Sequence, residues 1–258
     1  MTPHPPLHQL NPLTRFDDRA NEYARFRPGY PAAAIDTLLS GFGDPATLTA
    51  LDAGAGTGIS ARALADRGLR VWAIEPNAAM RAAAAPHPGV TFVDATAEHT
   101  GLPDASVDLV ASFQAFHWFE PVSALREFHR LLRPGGRVAL VWNERDARDA
   151  FTAEYGIAIL EAAGDHPALK RSGVELSEQY LGASALFRGA RIVKHPNSKR
   201  MAREALLGAS LSGSYIPRSG PIHDKLLEQL KHLHEKYAGA DGCVEMIYQT
   251  EMLLAERG

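Results

Sequence analysis

The sequence predicts an α/β protein organised around a mostly parallel, doubly wound sheet. Three observations lead there. Short strand-like and helix-like runs alternate from Thr47 to Trp142. A glycine-rich turn, Asp52-Ala-Gly54-Ala-Gly56-Thr-Gly58, joins the first such strand to the first such helix. The run Arg137 to Trp142 is continuous and apolar, as a strand covered on both faces is.

Residues 1–14 hold four prolines and little pattern, and read as a loose arm. From Arg15 to Tyr30 the chain is polar and aromatic, and Arg27-Pro-Gly-Tyr-Pro31 breaks any helix there. Residues 31–40 then read as a short helix opened by Pro31. Thr47 to Ala53 is the first strand, and Ile59 to Arg67 an Ala-rich helix stopped by Gly68. Arg70 to Glu75 is the second strand, followed by a helix from Asn77 to Ala85 that Pro86 ends. Val90 to Asp94 and Val107 to Ser112 are the third and fourth strands. Val122, Leu125, Phe128, Leu131 and Leu132 fall on one helical face. Arg133-Pro-Gly-Gly136 ends that helix, and Arg137 to Trp142 is the fifth strand. Beyond residue 145 the pattern loosens: 150–163 and 222–238 read as helices, and 185–194 and 243–254 as weaker strands. No internal repeat is evident.

The bulk properties narrow the class of function. The chain has 258 residues, of which 45% are hydrophobic, enough for a sizeable core. Its 27 basic and 30 acidic residues give a net charge of −3, without the basic excess that nucleic acid or anionic lipid would attract. The single cysteine, Cys243, rules out an internal disulfide. The N-terminus lacks the basic-then-apolar pattern of a signal peptide, and no run of about 18 apolar residues suggests a membrane span. The expectation is a cytoplasmic protein, monomer or homodimer, with a small-molecule partner and neither nucleic acid, membrane nor metal.

Ligands on doubly wound sheets bind at the carboxyl ends of the strands. The residues just after each strand are therefore the candidates. Gly54, Gly56 and Gly58 let the backbone turn tightly and approach a ligand, and a helix N-terminus with free N–H groups follows. Their spacing is G-x-G-x-G, with the third glycine one residue earlier than in dinucleotide sites. Glu75 closes the second strand about 20 residues on, where an acid can take both hydroxyls of a ribose. Asp94-Ala-Thr96-Ala97-Glu98 follows the third strand, where a backbone N–H and a small polar group can meet an adenine. Gln114, Phe116, His117, Trp118 and Phe119 crowd the exit of the fourth strand, and an aromatic face there can attract a cation.

The run from Leu51 to Asn143 resembles the class I S-adenosylmethionine-dependent methyltransferases of the UbiE/Coq5-like type (methyltransferase type 11). Three segments carry the likeness: Leu51-Asp-Ala-Gly-Ala-Gly-Thr-Gly58, Leu102-Pro-Asp-Ala-Ser-Val-Asp108 and Leu131-Leu-Arg-Pro-Gly-Gly136. Tyr23-Ala-Arg-Phe-Arg27-Pro-Gly-Tyr30-Pro, Gln114-Ala-Phe-His-Trp-Phe119, Val141-Trp-Asn143, Ser212-Gly-Ser-Tyr215-Ile and Gly242-Cys-Val with Tyr248-Gln-Thr250 look like the trans-aconitate methyltransferase-like branch. The resemblance spans roughly residues 15–254.

It implies a Rossmann-like sheet of seven strands, the last antiparallel, with an N-terminal lid and C-terminal helical additions. It divides the chain into an arm and lid (1–44), a cofactor-binding core (45–145) and a part completing the sheet and substrate pocket (146–258). Asp52, Gly54, Ala55 and Gly58 would line the methionine part of S-adenosyl-L-methionine, with Gly56 allowing close approach. Glu75 would hold the ribose hydroxyls, with Pro76 and Asn77 beside the adenosine. Thr96 and Ala97 would meet the adenine, although many members have Asp where this chain has Thr96. Gln114 would close over the methionyl end. Tyr23, Arg27 and Tyr30 would fold over the pocket, with His117, Trp118 and Tyr215 completing the substrate site.

Methyl transfer from a sulfonium is an in-line displacement with a neutral leaving group, so positioning dominates. A base is needed only if the acceptor must lose a proton. His117 and Tyr30 are the catalytic candidates, His117 because its ordinary pKa lies near neutrality. O-methylation, of a carboxylate in particular, is the favoured chemistry. Two alternatives stand beside it: a non-catalytic S-adenosylmethionine-binding protein and an NAD-dependent oxidoreductase.

Overall fold

A computed structural model of the chain describes residues 18–164, 166 and 172–258; the arm expected at 1–14 lies outside them. Helices α1 (Ala20–Phe26) and α2 (Ala32–Leu39) precede the first strand. Then come β1 (Thr49–Ala53), α3 (Ile59–Ala65), β2 (Arg70–Ile74), α4 (Ala78–Ala82) and β3 (Val90–Val93). Next are β4 (Val107–Phe113), α5 (Pro121–Leu131), β5 (Leu132–Arg145), α6 (Ala150–Ala163) and α7 (Gly173–Ser177). The chain closes with β6 (Phe187–Met201), α8 (Arg203–Leu211), α9 (Pro221–Tyr237) and β7 (Val244–Arg257).

The seven strands form one sheet in the order β3-β2-β1-β4-β5-β7-β6. β1 pairs in parallel with both β2 and β4, so the strand order reverses there. That reversal opens a crevice at the carboxyl ends of β1 and β4. β7 runs antiparallel to both β5 and β6, as the sequence resemblance implied for the last strand.

Alternate residues of the central strands serve opposite faces. Leu51, Val110 and Leu140 join Phe116, Phe128 and Leu131 on one side, while Ala50, Leu109 and Val141 join Ile35, Leu38 and Leu64 on the other. Both faces are covered, which is why β5 reads as an unbroken apolar run. A third cluster, with Phe151, Ile159, Leu226, Leu230 and Met246, packs α6, α8 and α9 over the start of β7.

Several expectations change in detail. Val122 is 46% exposed and stands outside the buried stripe of Leu125, Phe128 and Leu131 on α5. The stretch before Arg27, read as polar and aromatic, forms α1. The Arg-Pro break falls where expected, because a residue before proline avoids the helical region. α7 and α8 had no counterpart in the sequence reading. β6 and β7 are longer than the weak runs at 185–194 and 243–254. β6 is an edge strand whose residues are mostly exposed or part-exposed, so its pattern is charged rather than apolar. Arg133-Pro-Gly-Gly136 does end α5, and it lies in a register shift between β4 and β5. A Cβ on Gly136 would come within 3.0 Å of the Asp108 carbonyl.

Candidate cofactor and acceptor pocket

The turn after β1 is built so that only glycine fits. Gly54, Gly56 and Gly58 have φ of 69°, 56° and 74°. A Cβ on Gly54 would lie 2.6 Å from Ala115 Cβ, and one on Gly58 would lie 3.0 Å from the Phe92 ring. Positive φ is costly for other residues. The Gly54 and Ala55 amides donate to the Ile74 carbonyl, which extends the β1–β2 pairing into the turn.

Two buried carboxylates stand behind this turn. Asp52, at the end of β1, is fully buried and accepts a hydrogen bond from Ser60 Oγ at 2.5 Å. Its other oxygen, Oδ1, is buried without a partner. Burial pushes its pKa up to about 7, against the Ser60 bond that favours ionisation. Glu75 is 8% exposed, and its oxygens accept from the Gly56 and Asn77 amides at 2.9 and 2.8 Å. Burial raises its pKa too, opposed by those two amides.

A lid closes the carboxyl side. Tyr23, Arg27, Pro28 and Tyr30 face Gly54, Ala55, Ile59, Ser60, Phe113, Gln114 and Asn143 across a small cavity that is partly open to solvent. The Tyr30 and Phe113 rings are 4.6 Å apart, and the Arg27 guanidinium sits 4.9 Å from the Tyr23 ring centre. The lid is strapped to the sheet through its own carbonyls. Lys199 Nζ donates to the Phe26 and Arg27 carbonyls at 2.6 and 2.9 Å, capping the C-terminus of α1. Asn143 and Asn197 each donate to the Gly29 carbonyl at 3.1 Å. Asn143 is itself fixed by Thr250 Oγ1 at 2.6 Å. At the other end of α1, Arg19 donates to the carbonyls of Leu211, Gly213 and Ile216, tying the lid to the end of α8.

The expected site residues divide by place. Tyr23, Arg27, Tyr30, Gly54, Ala55 and Gln114 meet in one cavity. Gly56 lies under the lid, its absent Cβ 3.9 Å from the Tyr23 ring. Glu75 to Asn77 follow β2 at the same sheet edge, and Asn77 Oδ1 accepts from the Met80 amide as the N-cap of α4. Thr96 bridges to His99, and the Ala97 side chain is buried in the core, which leaves its backbone for any ligand. Gln114 has a φ of 55°, and its amide group is held by the Asn143 backbone at 3.1 and 3.5 Å. His117 stacks near Trp118 and Trp142, with ring centres 4.7 and 5.3 Å away. Burial, with the Arg27 charge adding to it, pushes its pKa down to about 3. Burial also raises the pKa of Tyr23 and Tyr30, Tyr30 strongly.

Ser60, Phe113 and Asn143 escaped the sequence reading as pocket residues. Asn143 follows the apolar part of β5 at the carboxyl edge, so the strand-end rule could have found it. No local pattern joins Arg145 and Tyr155 to Tyr248, because they lie on three elements far apart in sequence.

The arrangement suits S-adenosylmethionine. The unpartnered Asp52 Oδ1 is an acceptor awaiting a donor such as an α-ammonium, and the glycine turn leaves room that a Cβ would fill. Tyr and Phe faces in the lid suit a sulfonium.

Comparison with known proteins agrees. A family model described as "Methyltransferase domain" matches residues 51–140. An uncharacterized methyltransferase of Mycobacterium tuberculosis is 36% identical over 237 residues, covering 88% of this chain and 89% of the relative. A methyltransferase-like relative from Dictyostelium discoideum is 32% identical over 95% of this chain and 97% of its own length. Among solved structures, a candidate type II methyltransferase from Anaeromyxobacter dehalogenans superposes with a TM-score of 0.63 at 26% identity, covering 90% of this chain and 97% of that one. The phosphoethanolamine N-methyltransferase 2 of Haemonchus contortus, solved with S-adenosyl-L-methionine, shares the fold at a TM-score of 0.57 and 19% identity, over 99% of this chain and 60% of that one. Sheet order, glycine turn and full-length relatives together place this chain in the class I S-adenosylmethionine-dependent methyltransferase family.

Proposed function

We propose that this enzyme transfers a methyl group to an oxygen of a small-molecule acceptor, a carboxylate oxygen in particular. The observation that carries this is the chemistry at the lid side of the cavity, where the part-buried Arg27 stands among poor bases, while the one carboxylate whose pKa is raised to about 7, Asp52, would serve the α-ammonium of the cofactor. His117 is held neutral down to about pH 3, and a base that weak gains little by taking a proton at neutral pH. The Tyr23 and Tyr30 phenols are held protonated by burial. An acceptor that is already an anion needs no base.

When bound, S-adenosylmethionine supplies a methyl on a sulfonium, and its transfer to oxygen breaks the C–S bond, leaves the electron pair on sulfur and requires no acid. Asp52, Gly54, Ala55 and Gly58 would hold the amino-acid part of the cofactor, with Gly56 beneath it. Glu75, Pro76 and Asn77 would take the ribose side, and Thr96 and Ala97 the adenine by backbone. Gln114 would act by position, since its amide is taken by β5. Tyr23, Arg27 and Tyr30 exclude water and orient the acceptor, a contribution on the order of 7–11 kcal/mol for well-held reactants. His117, Trp118 and Tyr215 shape the acceptor side, with His117 as a neutral hydrogen-bonding group.

The test is transfer of labelled methyl from S-adenosylmethionine to a mixture of metabolites, with calorimetric titration of S-adenosylhomocysteine and NAD. Methyl-ester products support the reading. Binding of S-adenosylhomocysteine with no transfer to any acceptor would favour a non-catalytic binding protein. Tight NAD binding without S-adenosylhomocysteine binding would sink the reading altogether.

A further inference from the structure

A second group of polar side chains lies further along β5 from Asn143, which lines the cavity. Asn143 and Arg145 are two residues apart on β5, so they share a face, with Arg145 about 7 Å further along the strand. Arg145 pairs in register with Tyr248 on β7. Its guanidinium lies 5.4 Å from the ring centre of Tyr155 on α6, and the Tyr215 hydroxyl favours its charge. Tyr155 is anchored in turn by Ser210 at 3.1 Å.

Arg27 reaches the same group from the lid. Arg27 and Arg145 act on the same three tyrosines, 155, 215 and 248. Both arginines are part-buried, and Arg27 Nε is shut off from solvent without an acceptor. Among the described residues, neither guanidinium has a carboxylate within 4.0 Å, unlike Arg19, Arg67, Arg81, Arg130, Arg133 and Arg137. Burial works against both charges and the tyrosine oxygens favour them; Glu144 feels the Arg145 charge from beyond ion-pair distance, with its own carboxylate taken by the Gly173 amide. A partly desolvated guanidinium without a carboxylate is an unfavourable arrangement for a free protein. It becomes favourable when a ligand brings the missing anion, for which the guanidinium fork is well shaped.

We propose that Arg145, framed by Tyr155, Tyr215 and Tyr248, is a recognition subsite for a second anionic group of the acceptor, one that is not methylated. Arg27 stands between this subsite and the cofactor turn and holds the accepting end. Arg145 and the three tyrosines are positioning residues that select a dianionic acceptor over a monoanionic one. A carboxylate and a phosphate monoester share the required chemistry. This inference rests on the methyl-transfer reading of the same pocket.

The test is calorimetric titration of the full chain, with and without S-adenosylhomocysteine. The probes are succinate, glutarate and phosphoglycolate, with butyrate as the monoanion and succinamide as the neutral control. At least one dianion is expected to bind tenfold or more tightly than butyrate. A dicarboxylate response and a phosphoglycolate response tell the two sources apart, and either supports the subsite. Arg145→Gln is expected to erase the dianion preference while leaving S-adenosylhomocysteine affinity within about twofold. Equal binding of dianions and butyrate, or a preference that survives Arg145→Gln, overturns the proposal. Thermal stability supplies a second readout. Arg145→Met in the ligand-free protein is expected to melt at or above the wild-type temperature, whereas a clear drop would show a structural role and also overturn it. If S-adenosylhomocysteine fails to bind wild type, the methyl-transfer reading falls, and the dianion titration without it still judges the subsite.

Discussion

Replacing Asp52 by Asn tests the electrostatic logic of the cofactor turn. Asp52 is fully buried, has one oxygen on Ser60 and one with no partner, and has its pKa raised from 3.8 to about 7. Its folded-state pKa lies above its unfolded value. Between pH 4 and 7 the unfolded chain has lost this proton and the folded chain retains it, so stability falls as pH rises through that window and levels off above 7. The burial penalty at pH 8 is on the order of 4 kcal/mol, of which roughly 3 kcal/mol develops between pH 5 and 8. Asn keeps the shape and removes the charge. The ligand-free Asp52→Asn variant is therefore expected to be more stable than wild type at pH 8, and by less at pH 5. The change in that difference amounts to about 5–10 °C in melting temperature for a chain of this size. Cofactor affinity moves the other way, because the variant cannot pair with an α-ammonium. For wild type near pH 6, S-adenosylhomocysteine binding should release close to one proton, measurable by calorimetry in two buffers of different ionisation enthalpy. Scanning fluorimetry at both pH values carries the decision. A variant that is no more stable than wild type at pH 8, or whose advantage does not grow with pH, would refute the reasoning.

Three further outcomes follow from the same geometry. Gly54→Ala forces a side chain into a φ of 69° with its Cβ 2.6 Å from that of Ala115; a loss of about 2–4 kcal/mol is expected, read by urea denaturation, and a loss under 1 kcal/mol would contradict it. Lys199→Met uncaps the end of α1. Amide exchange in residues 20–30 should quicken, and S-adenosylhomocysteine should bind about 3–10-fold more weakly for roughly 1 kcal/mol of lost lid order; unchanged exchange would show that the strap does not hold the lid. His117→Gln should lower kcat/KM without changing the shape of its pH profile between 6 and 9, since the wild-type imidazole is neutral throughout; a limb near pH 6–7 that disappears in the variant would restore His117 as the base.

The sequence determined the parts of this protein that depend on local pattern. Buried parallel strands are apolar on both faces, so β5 stood out as a continuous run, and the alternation of strand-like with helix-like runs marked β1 to β4. Tight turns with positive φ admit little but glycine, so Gly54, Gly56 and Gly58 marked the cofactor turn before any coordinates. Arg27-Pro28 marked a point no helix could pass for a similar local reason, although the helix before it, α1, was not legible. The tertiary structure decided what local pattern cannot carry. The edge strand β6 exposes much of its length, so its sequence resembles a charged loop, and yet its Asn197 and Lys199 strap the lid. His117 looked like a base because a free imidazole titrates near neutrality, and only burial beside Arg27 removed that capacity. Glu75 and Asn77 looked equivalent as site residues, but one gathers two amides at the sheet edge and the other caps α4. Tyr215 and Tyr248 stand in segments that carry the family likeness, whereas no motif marks Arg145 or Tyr155. They come together because β5, β7, α6 and the segment after α8 converge on one strand end, and the lack of an ion pair at Arg145 has meaning only once its neighbours are known.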